Sequence, residues 1–195
     1  MTFDPAQLDS ITGYLLPNEA ALLYRLASEV PAGGTIVEIG SYQGKSTVAL
    51  GLGVKTKPYT DAVLIYAIDP HMGEMKHGAR FDIFDQVELF KNLLRFEVAD
   101  VVNVVSMPSV HIAQAWCYGD IELLWIDGAH DYQNVTRDIQ AWSKWLRPSG
   151  KMAFHDYANP DFPGVRQAVN EFLAAGQWRI REQVDTIVAL ERANK

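Results

Sequence analysis

The chain has 195 residues, 48% of them hydrophobic and 21% charged, which is typical of an ordinary folded domain. Its formal net charge is −7, and its 17 Lys and Arg residues are scattered along the sequence. This pattern argues against a nucleic-acid partner and favours a small ligand that is neutral or cationic. The sequence has no apolar run long enough for a membrane span, no signal-peptide pattern and a single cysteine, Cys117, so we expect a cytoplasmic protein with no membrane partner.

The elements predict one domain over residues 1–195, in three parts. Residues 1–34 form a helical segment, because Pro17 precedes an amphipathic pattern that ends at the PAGG turn. Residues 35–176 alternate short β-branched runs with segments of helical period, which predicts a parallel sheet with crossover helices. The strand-like runs are TIVEIG, AVLIYAID, VVNVVSM, IELLWID and KMAFHD. Residues 177–195 hold two nearly abutting runs, WRIREQ and TIVALER, which predict an antiparallel hairpin at a sheet edge.

Two of the predicted crossover helices have apolar faces that we expect to cover the sheet. On the first helix these residues are Ile83, Phe84, Val87, Phe90 and Leu94. On the second they are Val135, Ile139, Trp142 and Leu146, and the sequence PSG should end that helix.

Carboxylates stand at or near the ends of four of the five predicted parallel strands. These acids are Glu38, Asp69, Asp127 and Asp156. Ligands of open α/β sheets bind beyond the carboxyl ends of the strands, where such residues meet. A single aspartate at this position often caps the following helix, whereas four acids together predict a charged binding rim.

A glycine turn follows the first predicted strand, in the run IVEIGSYQGKST. Its last four letters match a phosphate-binding loop, but only three residues separate Gly40 from Gly44, one fewer than that loop requires. Tyr42 occupies the middle-glycine position of the nicotinamide-binding fingerprint, which weakens that reading. Carboxylates also disfavour phosphates, since like charges about 4 Å apart repel by roughly 4 kcal/mol at an effective dielectric of about 20. The rim therefore suits a cation that carries a ribose, whose hydroxyls Asp69 is placed to accept.

The run EIGSYQGKS, from Glu38 to Ser46, resembles the first motif of class I S-adenosylmethionine-dependent methyltransferases, in the form seen in catechol O-methyltransferase-like enzymes. Further on, WIDGAHDYQNVTRDIQAW and LRPSGKMAFHDY resemble the fourth and fifth strand regions of a bacterial small-molecule family that includes macrolide-sugar O-methyltransferases. The resemblance spans Gly13 to about Leu190. It implies a Rossmann-like α/β fold: a seven-stranded mixed sheet, mostly parallel with an antiparallel C-terminal hairpin, between helices on both faces in three layers.

The resemblance also implies an enzyme that binds S-adenosylmethionine. The amino-acid end of this cofactor would lie against Glu38 and the loop from Gly40 to Ser46, the ribose against Asp69, and the adenine near Met107. The full set of expected cofactor contacts is Glu38, Gly40, Ser41, Tyr42, Gly44, Ser46, Asp69, Met107 and Asp127.

Methyl transfer to an oxygen needs a base or a metal ion that promotes deprotonation of the acceptor. The converging carboxylates Asp127 and Asp156 suit Mg²⁺, and in macrolide-sugar relatives the metal-binding acids include the position of His155. His130 is the expected general base and Asp127 a second catalytic residue, because an imidazole titrates near neutral pH. The alternative for His130 is an exposed loop histidine that contacts Asp131 or Tyr132.

Three functions stay open from the sequence. The first is methyl transfer to a hydroxyl of a small molecule, with or without Mg²⁺. The second is an NAD(P)-dependent oxidoreductase, and the third is a non-catalytic S-adenosylmethionine-binding protein. The sequence decides neither the methyl acceptor nor whether the protein forms a homo-oligomer.

Overall fold

A computed structural model describes residues 3–58, 62–74 and 80–193. The α-helices are α1 (Pro17–Ser28), α2 (Lys45–Val54), α3 (Ile83–Arg95), α4 (Ser109–Gln114), α5 (Tyr132–Trp142) and α6 (Pro163–Ala174). The strands are β1 (Thr35–Ile39), β2 (Leu64–Ile68), β3 (Gly73–Glu74), β4 (Arg80–Phe81), β5 (Val102–Val105), β6 (Ile121–Ile126), β7 (Leu146–Phe154), β8 (Trp178–Val184) and β9 (Ile187–Arg192).

Seven strands form one sheet in the order β5-β2-β1-β6-β7-β9-β8. The first five are parallel to one another, whereas β9 runs antiparallel to β7 and to β8. The predicted mixed sheet with an antiparallel hairpin is therefore confirmed. Within the hairpin, the second strand, β9, lies between β7 and β8. The short pair β3 and β4 lies outside this sheet.

Two apolar cores lie on opposite faces of the sheet. In β1 the neighbouring residues Ile36 and Val37 belong to different cores, as the alternation of side chains along a strand requires. The first core packs the sheet against α1, α2 and α3, and the second packs it against α4, α5 and α6. The arrangement has the three predicted layers. Within the described residues, no helix combines the length and apolarity that crossing a membrane requires.

The predicted packing face of α3 is wrong. Its members, Ile83, Phe84, Val87, Phe90 and Leu94, are between 42% and 71% exposed. The buried side of the helix contains two polar residues and two leucines: Asp85, Leu89, Asn92 and Leu93.

The glycine turn after β1 explains this orientation of α3. Asp85 Oδ1 accepts a hydrogen bond from Gln43 Nε2 at 2.9 Å, and Asn92 Nδ2 donates to the Gln43 carbonyl at 2.8 Å. Leu89 packs beside Gly44, where an added Cβ would lie 2.5 Å from Leu89 Cδ1. Because buried polar groups need partners, α3 turns its mixed face inward and leaves its most apolar face at the surface.

The second predicted helix is shorter than expected. Its apolar residues Val135, Ile139 and Trp142 are buried as predicted, but α5 ends at Trp142. Leu146 instead begins β7, and the PSG sequence lies inside that strand. The register against β6 shifts between Ile121 and Leu123, and such an irregularity accommodates a proline within a strand.

Candidate active site at the carboxyl ends of the strands

Backbone hydrogen bonds extend the parallel sheet past the strand ends and bring the predicted acids to one edge. Asp69 N donates to the Val105 carbonyl at 3.1 Å, and Asp127 N donates to the Ile39 carbonyl at 2.8 Å. Glu38 occupies the fourth position of β1, and Asp156 follows β7. The four acids therefore lie along one rim, as ligand sites of open α/β sheets require.

Glu38 is fully buried, and its two oxygens differ. Oε1 accepts a hydrogen bond from Ser46 Oγ, whereas Oε2 has no hydrogen-bond partner among the described residues. Burial raises the pKa of Glu38 to about 8 although the hydroxyls of Ser46 and Thr47 lower it, and the charges of Asp127 and Asp69 add to the increase. A ligand group that donates hydrogen bonds and carries positive charge would satisfy Oε2 and favour the ionised carboxylate.

Ser41 offers a second buried polar atom in the same loop. Its side chain is 2% exposed, and its Oγ has no hydrogen-bond partner within the described part of the chain. Buried hydroxyl groups are nearly always hydrogen-bonded in native proteins, so an unsatisfied one beside Glu38 indicates a place for a ligand.

Asp69 is held by the backbone around it. Its Oδ2 accepts from Tyr42 N at 2.9 Å, and its Oδ1 accepts from His71 N at 2.8 Å. Each carboxylate oxygen has a further lone pair, so the two could accept the two hydroxyls of a ribose. Tyr42 adopts a left-handed backbone with a φ of 43°, which directs its N–H at Asp69.

Gly40 and Gly44 are required by packing inside the protein as well as by any ligand. A Cβ added to Gly40 would lie 2.1 Å from the Asp127 carbonyl oxygen, and the residue has a φ of +88°. Gly44 has a φ of +87° and precedes α2 directly. The glycine at position 40 therefore lets the loop after β1 meet the loop after β6, so the structure adds a second reason for its presence.

Met107 lies just beyond β5 and is 46% exposed. Its neighbour Ser106 accepts a hydrogen bond from Gln86 of α3. Two residues further on, Ser109 Oγ donates to Asp138 Oδ1, and Asp138 is a buried residue of α5. The segment around Met107 is thus tied to helices on both sides of the sheet. That the adenine lies here stays a prediction.

His155 lies between carboxylates at the other end of the rim. Its Nδ1 is 3.0 Å from Asp127 Oδ1 and 3.4 Å from Asp156 Oδ2, and its Nε2 is 3.2 Å from Glu19 Oε2. Burial would lower the pKa of His155, but the charge of Asp127 and the hydrogen bonds to Asp127, Asp156 and Glu19 raise it to about 12. The ring is therefore an imidazolium at neutral pH.

His130 contacts Asp156, and so differs from the exposed loop histidine that was the alternative. Its Nε2 is 3.1 Å from Asp156 Oδ2, and its ring packs edge-on against Phe162 with centroids 4.4 Å apart. Burial lowers the pKa of His130, but the bond to Asp156 and the charge of Asp127 outweigh it, and the net pKa is raised. Asp156 has a φ of 58°, and Asn159 Nδ2 donates to its Oδ1 at 2.7 Å. The carboxylate is thus fixed from both sides.

The donors do not fit a magnesium site built from Asp127, His155 and Asp156. Mg²⁺ prefers oxygen ligands in a near-octahedral arrangement, whereas both ring nitrogens of His155 already face carboxylate oxygens. The ligand atoms that converge belong instead to Asp127, His130 and Asp156, all within 4.8 Å of one another. In that group the imidazole is hydrogen-bonded to Asp156, which is the arrangement of a base and its positioning acid.

The sequence interpretation missed Glu19. This residue is fully buried in α1, far from the rim in sequence, and its carboxylate accepts from Leu16 N at 2.9 Å and from Thr186 N at 2.9 Å. Only one half of a capping box was detectable, because Glu19 stands three residues after Leu16 and accepts from its backbone N, whereas the leucine side chain has no acceptor. The contact with His155 was not detectable, because the two residues are 136 positions apart.

The chain matches a known protein family and a curated sequence. Residues 37–157, more than half of the chain, match the family described as methyltransferase domain. The uncharacterized protein R132 of Acanthamoeba polyphaga mimivirus is 26% identical over 147 residues, which is 72% of this chain. The chain spans 59% of the length of that curated relative.

Solved structures share the fold over nearly the whole chain. Cofactor-bound Rv0187 from MTB aligns with a TM-score of 0.72 at 17% identity, covering 96% of this chain and 85% of that one. The O-methyltransferase NovP gives 0.72 at 15% identity, covering 93% and 84%. The O-methyltransferase TomG from Streptomyces achromogenes, in complex with SAM and involved in tomaymycin synthesis, gives 0.66 at 17% identity, covering 97% and 88%. At these identities the similarity establishes a common fold.

Proposed function

We propose that this chain, which belongs to the methyltransferase-domain family and is a class I S-adenosylmethionine-dependent methyltransferase, transfers a methyl group to a hydroxyl of a small molecule. The observation that carries the proposal is the pairing of His130 with Asp156 beside Asp127, on the same rim as the unpartnered oxygen of Glu38. NovP and TomG are described as O-methyltransferases, which favours oxygen as the acceptor atom. Family membership favours this function over the oxidoreductase alternative.

The end of the rim that contains Glu38, Ser41 and Asp69, which we call the cofactor end, fits S-adenosylmethionine. The unpartnered Oε2 of Glu38 would accept from the ammonium of its amino-acid end, Ser41 would complete this contact, and Asp69 would accept the ribose hydroxyls. When bound, the cofactor supplies a methyl group attached to a positively charged sulfur. The negative rim suits that charge, and carboxylates held in advance by the backbone lose little freedom when the ligand arrives.

His130 is the group that would take the proton of the acceptor hydroxyl. Asp156 holds Nε2–H at 3.1 Å, so Nδ1 is the nitrogen that would receive the proton. The negative charges of Asp156 and Asp127 stabilise the imidazolium that forms, which raises the basicity of His130. The proton thus moves from the acceptor oxygen to His130 while that oxygen gains the methyl group.

Cofactor choice is tested first. Isothermal titration of the purified chain with S-adenosylmethionine and, separately, with NAD should show binding of the first only. Binding of NAD in preference to S-adenosylmethionine would end the assignment.

Catalysis is tested second, by survey of turnover over phenols and sugars. With an acceptor in hand, His130→Gln should reduce kcat by about 10²–10⁴-fold and leave S-adenosylmethionine affinity unchanged, because a base acts on the acceptor. A matched control is His111→Gln, an exposed histidine of α4, which should leave both quantities unchanged. Cofactor binding without turnover of any acceptor would favour the non-catalytic alternative, and a kcat unaffected by His130→Gln would remove this residue from the mechanism.

A further inference from the structure

A buried histidine binds three carboxylates at the end of the rim that contains Asp127 and Asp156, which we call the acceptor end. We call Glu19, Asp127, His155 and Asp156 the His155 cluster. His155 is 7% exposed and Glu19 is fully buried, and the distances from the ring nitrogens to carboxylate oxygens lie between 3.0 and 3.4 Å. The cluster joins the N-terminal helix α1 to the ends of β6 and β7.

The positions of the oxygens define the chemical state of the ring. A carboxylate accepts hydrogen bonds, so an imidazole nitrogen that faces a carboxylate oxygen at hydrogen-bond distance must carry a hydrogen. In His155 both nitrogens face such oxygens, Nδ1 toward Asp127 and Nε2 toward Glu19. A neutral ring has one N–H and would leave one of these contacts repulsive. The geometry is that of a ring with two N–H groups and a positive charge.

Glu19 holds this state in place. Its Oε1 accepts from the backbone N of Thr186 at 2.9 Å and from Thr186 Oγ1 at 2.6 Å, and its Oε2 accepts from Leu16 N at 2.9 Å. Four donors, including His155, therefore satisfy the carboxylate, and they come from the residue before α1, the residue after β7 and the turn before β9. A carboxylate tied in this way cannot turn from His155 without loss of several hydrogen bonds.

A divalent ion would compete directly with this arrangement. The oxygens that would coordinate it, Oδ1 of Asp127 and Oδ2 of Asp156, are those that His155 Nδ1 contacts. His130 Nε2 occupies Oδ2 of Asp156 as well. An ion at this place would meet a fixed positive ring in contact with both carboxylates, and the repulsion between the two cations weakens the site for Mg²⁺.

We propose that His155, held by Glu19, is the built-in cation of this active site, and that the protein accordingly works without a divalent metal ion. In this arrangement His155 and Glu19 are positioning residues: Glu19 fixes the ring of His155, His155 orients Asp127 and Asp156 and offsets part of their charge, and Asp156 in turn orients His130. The role in methyl transfer rests on the proposed function, whereas the exclusion of the ion rests on the geometry of the cluster alone.

The test measures metal binding directly, without turnover. Mn²⁺ would be titrated into the full chain and followed by its electron paramagnetic resonance signal, for the wild type and for His155→Glu. We expect no saturable Mn²⁺ binding by the wild type and a saturable site in the variant, because the substitution removes the cation and adds an oxygen ligand. The matched control is His111→Glu, which adds the same charge at an exposed histidine of α4 and should not create a site.

A second variant covers a failure of the first to fold. In His155→Glu the new carboxylate faces Glu19, so the double variant Glu19→Gln with His155→Glu replaces that repulsion by an amide that can donate to the new oxygen. A site in the wild type that Asp127→Ala abolishes would overturn the proposal. Folded variants that bind no more Mn²⁺ than the wild type would also overturn it, since the cluster would then not be what excludes the ion.

Nitrogen NMR of the wild type gives an independent measurement. With ¹⁵N-labelled histidine, both ring nitrogens of His155 should carry a hydrogen, and Glu19→Gln should change this signature because it removes a charged acceptor from Nε2. One unprotonated ring nitrogen in the wild type would contradict the proposal. Failure of the wild type to bind S-adenosylmethionine would instead count against the proposed function, and the conclusion on Mn²⁺ binding would be unaffected.

Discussion

The two ends of the acidic rim offset the negative charge of their carboxylates in different ways. At the cofactor end, burial raises the pKa of Glu38 to about 8, so a proton neutralises it, and its Oε2 has no hydrogen-bond partner among the described residues. At the acceptor end, His155 is an imidazolium with a pKa of about 12, and its single positive charge is shared by Glu19, Asp127 and Asp156. The first end needs a ligand to complete its hydrogen bonds, whereas the second completes them internally.

The cofactor end is therefore expected to change its charge when a ligand binds, whereas the acceptor end is organised before binding. A ligand that carries positive charge will convert Glu38 to its ionised form, so the charge of the cofactor end changes on binding. The acceptor end keeps its charges in place before any ligand arrives, and such fixed charges cost no reorganisation during a reaction. Substitutions at the acceptor end should therefore act mainly on stability and turnover, and those at the cofactor end mainly on affinity.

The largest effect should come from His155→Ala. Removal of the cation leaves Glu19 buried without its charge partner, and breaking a buried ion pair from one side costs about 3–5 kcal/mol of unfolding free energy. Urea denaturation at neutral pH measures this loss. The control is His71→Ala, since His71 is 5% exposed and its ring nitrogens have no hydrogen-bond partner in the described ranges. If both variants lose the same stability, the loss reflects packing and the ionic account of the cluster fails.

Gly40→Ala should disturb the junction between the two ends. A left-handed φ of +88° disfavours any side chain, and the new methyl group would lie 2.1 Å from the Asp127 carbonyl oxygen. We expect a loss of about 2–4 kcal/mol in unfolding free energy together with weaker S-adenosylmethionine binding. Gly119→Ala is the control for backbone strain alone, because Gly119 has a φ of +86° and no atom lies within 4 Å of its added Cβ. The difference between the two variants is the cost of the steric clash. Equal effects at the two glycines would mean that the approach of the two loops is unimportant.

Glu38→Gln should weaken S-adenosylmethionine binding by about 1.5–3 kcal/mol and leave stability unchanged or higher, since the carboxyl is protonated and half unpaired in the free protein. The wild type should bind more tightly as pH rises from 6 to about 8, because below a pKa of about 8 the free protein must lose the Glu38 proton to form the charged contact. Calorimetry at several pH values checks both statements. A pH slope retained in Glu38→Gln would assign the proton to another group.

The sequence predicted the strands and the rim because these depend on local patterns. The β-branched runs identified the parallel strands, and an acid near a strand end reaches the rim whenever the strand is parallel to its neighbours, as Asp69 and Asp127 show. The apolar face of α5 was oriented correctly by its period. The face of α3 was not, since its orientation depends on Asp85 accepting a hydrogen bond from Gln43 and on Asn92 donating one to it, across 42 or more residues of sequence.

The roles of the two histidines needed tertiary structure for the same reason. His155 neighbours Asp156 in sequence, and the resemblance to metal-binding relatives assigned it to an ion. Its actual state depends on Glu19, whose burial next to β7 no local pattern indicates. His130 was placed near Asp127 by spacing, whereas its partner Asp156 comes from the next strand of the sheet.

Asp138 lies outside the rim and tests whether a buried carboxyl without a cation binds a proton, as inferred for Glu38. Its substitution should have the smallest effect of those considered. This carboxyl is buried in α5 and accepts a hydrogen bond from Ser109 Oγ. Like Glu38, it forms no ion pair with a cation among the described residues. Burial raises its pKa to about 6 despite that bond, and the charge of Asp131 adds to the increase. Between pH 4 and 6 the folded state therefore holds a proton at Asp138 that the unfolded state has released, so the contribution of Asp138 to the unfolding free energy should fall as pH rises through this window and level off above it.

Asp138→Asn should remove that slope. Above pH 6 the variant should be more stable than the wild type by about 1–2 kcal/mol, which is less than the full pKa shift implies because an amide oxygen accepts from Ser109 more weakly than a carboxylate. Urea denaturation from pH 4 to 8 measures the difference, and Asp120→Asn, at an exposed carboxyl, is the matched control. A wild type whose stability rises from pH 4 to 6 while Asp138→Asn follows the same curve would show that Asp138 is ionised in the fold. A buried acid without a cation would then tolerate its charge, and the protonation of Glu38 would lose its physical basis.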